Sequence, residues 1–165
     1  MEQMLSGLFG GNDDDDNDRR QRHASDFVQR YETGLPHEGY SDEEALHNYR
    51  QMASRLSPQE YEEAASATFG RLSKEERREL RREMKQRSGG RFAIDSDDPH
   101  EMARAAAQYH QQDQGGGGLA GLFGMGGGQQ QQASGQQGGL LDNPLAKVAM
   151  GGIAAMAMKK MMGGR

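Results

Sequence analysis

Ser57-Pro58-Gln59-Glu60 is the middle copy of a pattern written three times: Ser41-Asp42-Glu43-Glu44 lies 16 residues before it and Ser73-Lys74-Glu75-Glu76 lies 16 residues after it. A serine hydroxyl can accept a free amide hydrogen of the first helical turn while the glutamate accepts from the serine's own amide, so each unit predicts a helix start. The units also close in kind, on Arg55-Leu56, Arg71-Leu72 and Arg87-Ser88. Within the first, Ala45, Tyr49, Met52, Ala53 and Leu56 recur at helical spacing; within the second, Tyr61, Ala64, Ala65, Thr68, Phe69 and Leu72 do the same. Each predicts an amphipathic helix of roughly 14 residues, about 21 Å long. Pro58 suits a first helical position, where a missing amide hydrogen costs nothing. With so few residues between them, consecutive helices must turn back on one another.

Outward from the repeats, Phe27, Val28 and Tyr31 mark a first short helix from Ser25 that stops at Gly34. A further helix should begin at Asp98, with Pro99 at its first position, Glu101 completing a cap, and Met102, Ala105, Ala106 and Tyr109 as its buried stripe. The fold class expected is all-α: a small bundle of about five short helices over residues 25–113, with Tyr31, Leu46, Tyr49, Leu56, Tyr61, Phe69 and Leu72 in its core. Around it, the composition predicts a disordered N-terminal arm over 1–24 with an acidic run, a Gly/Gln-rich linker over 114–139, and a separate apolar helix over 140–165 with Pro144 just inside its start.

The chain has 165 residues, 33% hydrophobic, with 24 glycines and neither Trp nor Cys, so its core must be small. Absence of cysteine excludes a disulfide framework, a cysteine zinc site, a thiol nucleophile and an iron–sulfur cluster. Residues 1–113 carry 16 Lys and Arg against 24 Asp and Glu, whereas residues 114–165 carry four against one. An acidic body repels nucleic acid, and a short basic apolar tail is attracted to anionic surfaces. Glu2 stands where a secretory signal has positive charge, and Ser6 and Gly7 break the apolar run beside it, so a cytoplasmic address with peripheral contact at a membrane is expected.

Sites of chemistry are sparse. An EF-hand loop counted from Asp13 would need glycine at its sixth position and glutamate at its twelfth, where Asp18 and Ala24 stand. His23, His37, His47, His100 and His110 never fall three or four apart, so helical metal-ligand pairs are absent; His47 is expected as a partly exposed surface histidine. Phosphate-loop, dinucleotide and nucleophile-elbow patterns do not occur. No catalytic, cofactor-binding or metal-ligating residue is nominated, and a non-enzyme is expected.

Three features could meet a partner. In the third repeat unit Arg71, Lys74, Arg77, Arg78, Arg81, Arg82 and Lys85 share one helical stripe beside Glu75, Glu79 and Glu83, which makes either a solvated outer helix or an anion-binding face for nucleic acid, acidic lipid or acidic protein. Leu-Ser-Gly-Leu-Phe-Gly at 5–10 recurs as Leu-Ala-Gly-Leu-Phe-Gly at 119–124, offering Leu8, Phe9, Leu122 and Phe123 as paired linear motifs. Gly-Leu-Phe-Gly resembles the unit of nucleoporin repeat domains, but those string many copies together and two copies assign no family. Finally, Lys147, Val148, Met150, Ile153, Met156, Met158, Lys159 and Lys160 outline an apolar, lysine-flanked helix. Its charge-free stretch of 11 residues is about 16 Å long as helix, too short for a 30 Å bilayer core. The function expected is an adaptor whose bundle is tethered by this helix to a membrane surface or a protein groove; the alternatives are an anionic-polymer binder using residues 71–87 and a self-assembling scaffold. No small-molecule substrate is implied.

Overall fold

The computed structural model describes residues 13–34, 40–112, 118–123 and 144–163, with side chains from Asp16 onward. Among these residues the chain is all-α: α1 (Asp13–Thr33), α2 (Asp42–Ala53), α3 (Pro58–Gly70), α4 (Lys74–Arg87), α5 (Pro99–Gln112), α6 (Leu119–Leu122) and α7 (Pro144–Gly163). The three repeat serines cap α2, α3 and α4, each hydroxyl accepting from the amide of the glutamate three residues on, at 3.1, 3.3 and 3.2 Å. Glu60 and Glu76 return the bond to the serine amides at 2.8 and 2.7 Å. Glu44 does not, because its carboxylate is gripped instead by both terminal nitrogens of Arg30, at 2.6 and 3.2 Å. The first repeat thus exchanges half of its cap for a tie between α1 and α2. Asp98 caps α5, its carboxylate accepting from the amides of His100 and Glu101 at 2.9 and 3.2 Å.

Two expectations about the flanks are corrected. Spacing predicts a first helix from Ser25, but α1 begins at Asp13 and takes in half of the expected arm. Aspartates near a helix start sit at the positive end of its dipole, and Asp16 with Arg20, and Asp18 with Arg22, stand four apart in the favourable acid-before-base order. The second correction concerns α7, which is a helix as expected but is not separate. It packs against α1, α2 and α3, and from Leu145 to Met158 every residue except Lys147 and Met156 is buried. A helix without a polar face has nowhere to turn toward water, so it becomes the centre around which the amphipathic helices arrange their stripes.

That centre changes the core. Tyr31, Tyr49, Tyr61, Phe69 and Leu72 are buried as expected, whereas Leu46 and Leu56 are only partly covered at the margin. α5 lies along α3, and α4 is seated by Leu80 and Met84. Glycines allow the tightest approach. A Cβ at Gly151 would stand 2.5 Å from a ring carbon of Tyr40, and one at Gly152 would overlap the methyl of Thr68 and lie 2.7 Å from the Tyr31 hydroxyl. Thr68 has no room to yield, since it is fully buried with its hydroxyl bonded to the Ala64 carbonyl at 2.8 Å.

Replacing Gly152 by alanine should therefore destabilise the fold by up to about 2 kcal/mol, because overpacking of about 1–3 kcal/mol outweighs alanine's helix preference of about 1 kcal/mol. Gly163→Ala, where a Cβ meets nothing within 4 Å, should be close to neutral. Urea unfolding of the two variants checks the contrast, and equal stabilities would remove close approach as the reason for glycine at 152.

Candidate functional site

A concavity of about 1300 Å³ lies between the first half of α1, the outer face of α2 and the end of α7. Met52, Met158, Met161 and Met162 supply its apolar surface; Arg20, Arg22, His23, Glu44, His47 and Arg55 supply its polar rim. His47 is an exposed side chain on this rim, as spacing suggests. Met161 and Met162, 44% and 42% accessible, are the large hydrophobics left in solvent among the described residues. Unbranched thioethers adapt to varied surfaces, which fits a groove for apolar side chains. A smaller cavity of about 350 Å³ lies between α2, α3 and α5, beside Tyr49, Tyr61 and His110.

The lysine-flanked helix does not present the expected face. Val148, Met150, Ile153 and Met158 are buried and Met156 is partly so. Lys147 bridges Asp42 at 3.3 Å, both side chains being more than four-fifths covered, and its ammonium lies 5.4 Å from the centre of the Tyr40 ring. Lys159 and Lys160 pair with Glu32 and Glu63. The flanking lysines clamp α7 to α2, α1 and α3. The Lys159 ammonium holds the Glu32 carboxyl below the usual range for glutamate.

The basic stripe of α4 is largely engaged within the molecule. Arg77 donates to the carbonyls of Leu72 (2.6 Å) and Asp97 (2.9 Å), covering the carbonyl end of α3. The Asp97 carboxylate draws in Arg78 (3.5 Å) and Arg81 (3.3 Å), and Asp95 takes Lys85 (3.2 Å). Arg71 lies over the Tyr31 ring, 4.6 Å from its centre. Among the described residues, Lys74 and Arg82 are the members of this stripe with no ion pair, side-chain hydrogen bond or ring contact. The segment from Ser88 to Asp98, anchored by buried Phe92, brings the two aspartates across. Sequence spacing puts the cations on one face but is silent on the distant carboxylates that cover it.

The second Leu-Phe motif is also docked. Residues 118–123, expected within a linker, form a turn and the short α6, with Leu119, Ala120, Leu122 and Phe123 buried. The Leu119 amide donates to the Tyr49 hydroxyl at 3.2 Å, which is 2.8 Å from the Tyr61 hydroxyl; Tyr61 stacks on His110 with ring centres 4.7 Å apart. Complete burial pushes the Tyr61 phenol well up, so it stays a neutral partner in this chain. Arg87 lies over Phe123 at 5.4 Å. Gly118 turns in with φ of 59°, and a Cβ there would overlap Nδ1 of His110. Leu8 and Phe9 lie outside the described residues.

Elsewhere, Ser66 and His100 share a hydrogen bond of 2.8 Å on exposed surface, away from both cavities. Among the described residues no cluster of three His, Asp or Glu is placed to hold a metal ion, and no helix is long and apolar enough to cross a membrane. No protein-family model matches the chain, and neither a curated protein nor a solved structure is similar to it. Function must therefore be argued from the groove and its surroundings. Met161 and Met162 carry a signal in the sequence, as part of a methionine-rich tail. Met52, His23, Arg20 and Arg55 carry none, because they come together only when α1 and α2 pack beside α7.

Glu32's lowered pKa gives the seating of α7 an acid limit. A depressed carboxyl contributes stability that is present above its ordinary value, about 4.3, and is lost as pH falls through the lower value it has in the fold. Protection of the amides in the last turn of α7, taken relative to their intrinsic exchange rates at each pH, should be weaker below pH 4 than at pH 6, and Glu32→Gln should shrink that difference; an unchanged profile in the variant would dissociate it from this pair. For α4, Asp97→Ala should release Arg78 and Arg81 at a stability cost of about 1 kcal/mol. The variant should then elute from heparin at higher salt than the parent chain, and equal elution would show that Asp97 does not hold the stripe in check.

Proposed function

We propose that this protein is a non-enzymatic interaction protein whose binding element is the methionine-lined groove between α1, α2 and the end of α7, and that it takes an apolar segment of a protein partner there. The observation that carries this is the pair Met161 and Met162, left exposed at the edge of a 1300 Å³ concavity while nearly every other apolar side chain of α7 is covered. The adaptor role expected of the tail moves with them. The bulk of α7 is committed to the bundle, and its last turn offers a pliant apolar patch. Methionine lets such a patch fit several shapes, and the Arg and His side chains at the rim favour a partner segment with acidic flanks.

Membrane tethering through α7 has less support, because displaying its apolar face would require the helix to leave the bundle. Nucleic acid binding through α4 has less support too, because Asp95 and Asp97 already engage four of its cations.

Methionine-methyl NMR of the full chain tests the proposal. An amphipathic Leu/Lys/Glu helical peptide should shift Met52, Met158, Met161 and Met162 and leave Met84 and Met102 unmoved. Met161→Gln/Met162→Gln should weaken the interaction at least tenfold, and tripling the salt should change it by less than threefold. Shifts provoked instead by phosphatidylglycerol vesicles or by single-stranded DNA, with the peptide inert, would overturn it in favour of an anionic surface.

A further inference from the structure

The chain contains two copies of Leu-x-Gly-Leu-Phe-Gly, and only the second has a seat among the described residues. That copy shows what the sequence does when it docks: one helical turn buries both leucines and the phenylalanine against the bundle. The first copy carries the same three apolar side chains, Leu5, Leu8 and Phe9. It cannot use the same seat. The residue before Leu119 is Gly118, whose positive φ and contact with His110 leave no space for a side chain, and the residue before Leu5 is Met4. Ala120, fully buried, is matched by Ser6, whose hydroxyl would have to leave water to enter that site.

The groove is the nearest alternative. The first copy joins α1 directly, and α1 residues 17–25 form one wall of the groove. From Asp13, Phe9 and Leu5 lie four and eight residues back, reaches of up to about 13 and 26 Å. The groove wall runs from about 6 to about 18 Å along α1 from the same point. The segment is therefore long enough to span this wall, and its Leu5, Leu8 and Phe9 match the apolar surface that Met158, Met161 and Met162 offer, as Glu2 matches the arginines of the rim. We propose that residues 4–9 of the same chain occupy the methionine groove, so that the partner site is self-covered until a competing segment displaces them. This rests on the groove reading above and names its resident occupant.

The chain has no cysteine, so a nitroxide placed on Gln3→Cys is unique in the full-length protein. Its paramagnetic broadening should fall on Met158, Met161 and Met162, and should drop at least fivefold when Leu8→Asp/Phe9→Asp is added. The same double variant, without the nitroxide, should bind the Leu/Lys/Glu peptide at least fivefold more tightly, since a tethered competitor has been removed. Broadening unchanged by the double variant, or peptide affinity unchanged, would overturn the self-covering while leaving the groove itself intact. A peptide that moves no groove methionine in either chain would overturn the groove as well. In a mixture of nitroxide-bearing protein with isotopically labelled protein that lacks the nitroxide, broadening of comparable size would place the segment in a second copy and overturn occupation in the same chain.

Discussion

The rest of the structure depends on how closely α7 can be approached. Two adjacent glycines at 151 and 152 let the Tyr40 ring, the Tyr31 hydroxyl and the Thr68 methyl lie against its backbone, so α1, the α2 entrance and α3 converge on one axis. The same glycines weaken α7 as an isolated helix, by roughly 1 kcal/mol each relative to alanine. Tertiary contact reverses that sign. Inside the bundle the missing methyl groups are what permits contact, and the helix is maintained by its surroundings more than by its own preference.

A linker of Gly and Gln suggests that the helix beyond it is independent, but closure is a weak opponent. Going from a loop of five residues to the 20 that separate Phe123 from Pro144 costs only about 1.2 kcal/mol. Burying one Met or Ile side chain gives back about 1.5–3 kcal/mol. α7 has many such side chains to bury, so distance along the chain could not keep it out of the bundle. The three clamps, Lys147 with Asp42, Lys159 with Glu32 and Lys160 with Glu63, then fix its rotation and depth.

How much of the structure is legible in the sequence depends on the range of the rule that reads it. Caps at Ser41, Ser57 and Ser73 act within four residues, and α2, α3 and α4 begin where those serines put them. Pro99 and Pro144 mark the first residues of α5 and α7 for the same local reason. The buried tyrosines are visible as helical stripes. The diversion of Glu44 to Arg30, the margin position of Leu46, the seat of α6 and the groove are not visible, because each is decided by a residue on another helix. The α1 start is hidden for a different reason: a run of aspartates reads as repelling charge, whereas its spacing from Arg20 and Arg22 and its place at a helix start make it compatible with helix.

Charge on α4 shows how a surface feature changes meaning once its neighbours are placed. A stripe of seven cations resembles an anion site when the helix is considered alone. Asp95 and Asp97 are some ten residues beyond α4, and the turn through Ser88 to buried Phe92 returns them over the stripe. The arginines then secure a strap and the end of α3, which is a structural task for charge that, on the isolated helix, is free for a partner. The opposite change occurs at the end of α7, where methionines that read as more of an apolar helix are the ones left in solvent. Partner surfaces in a small bundle are best sought where an element keeps apolar side chains in solvent: the last turn of α7 does so beside α1 and α2, and that turn carries Met161 and Met162.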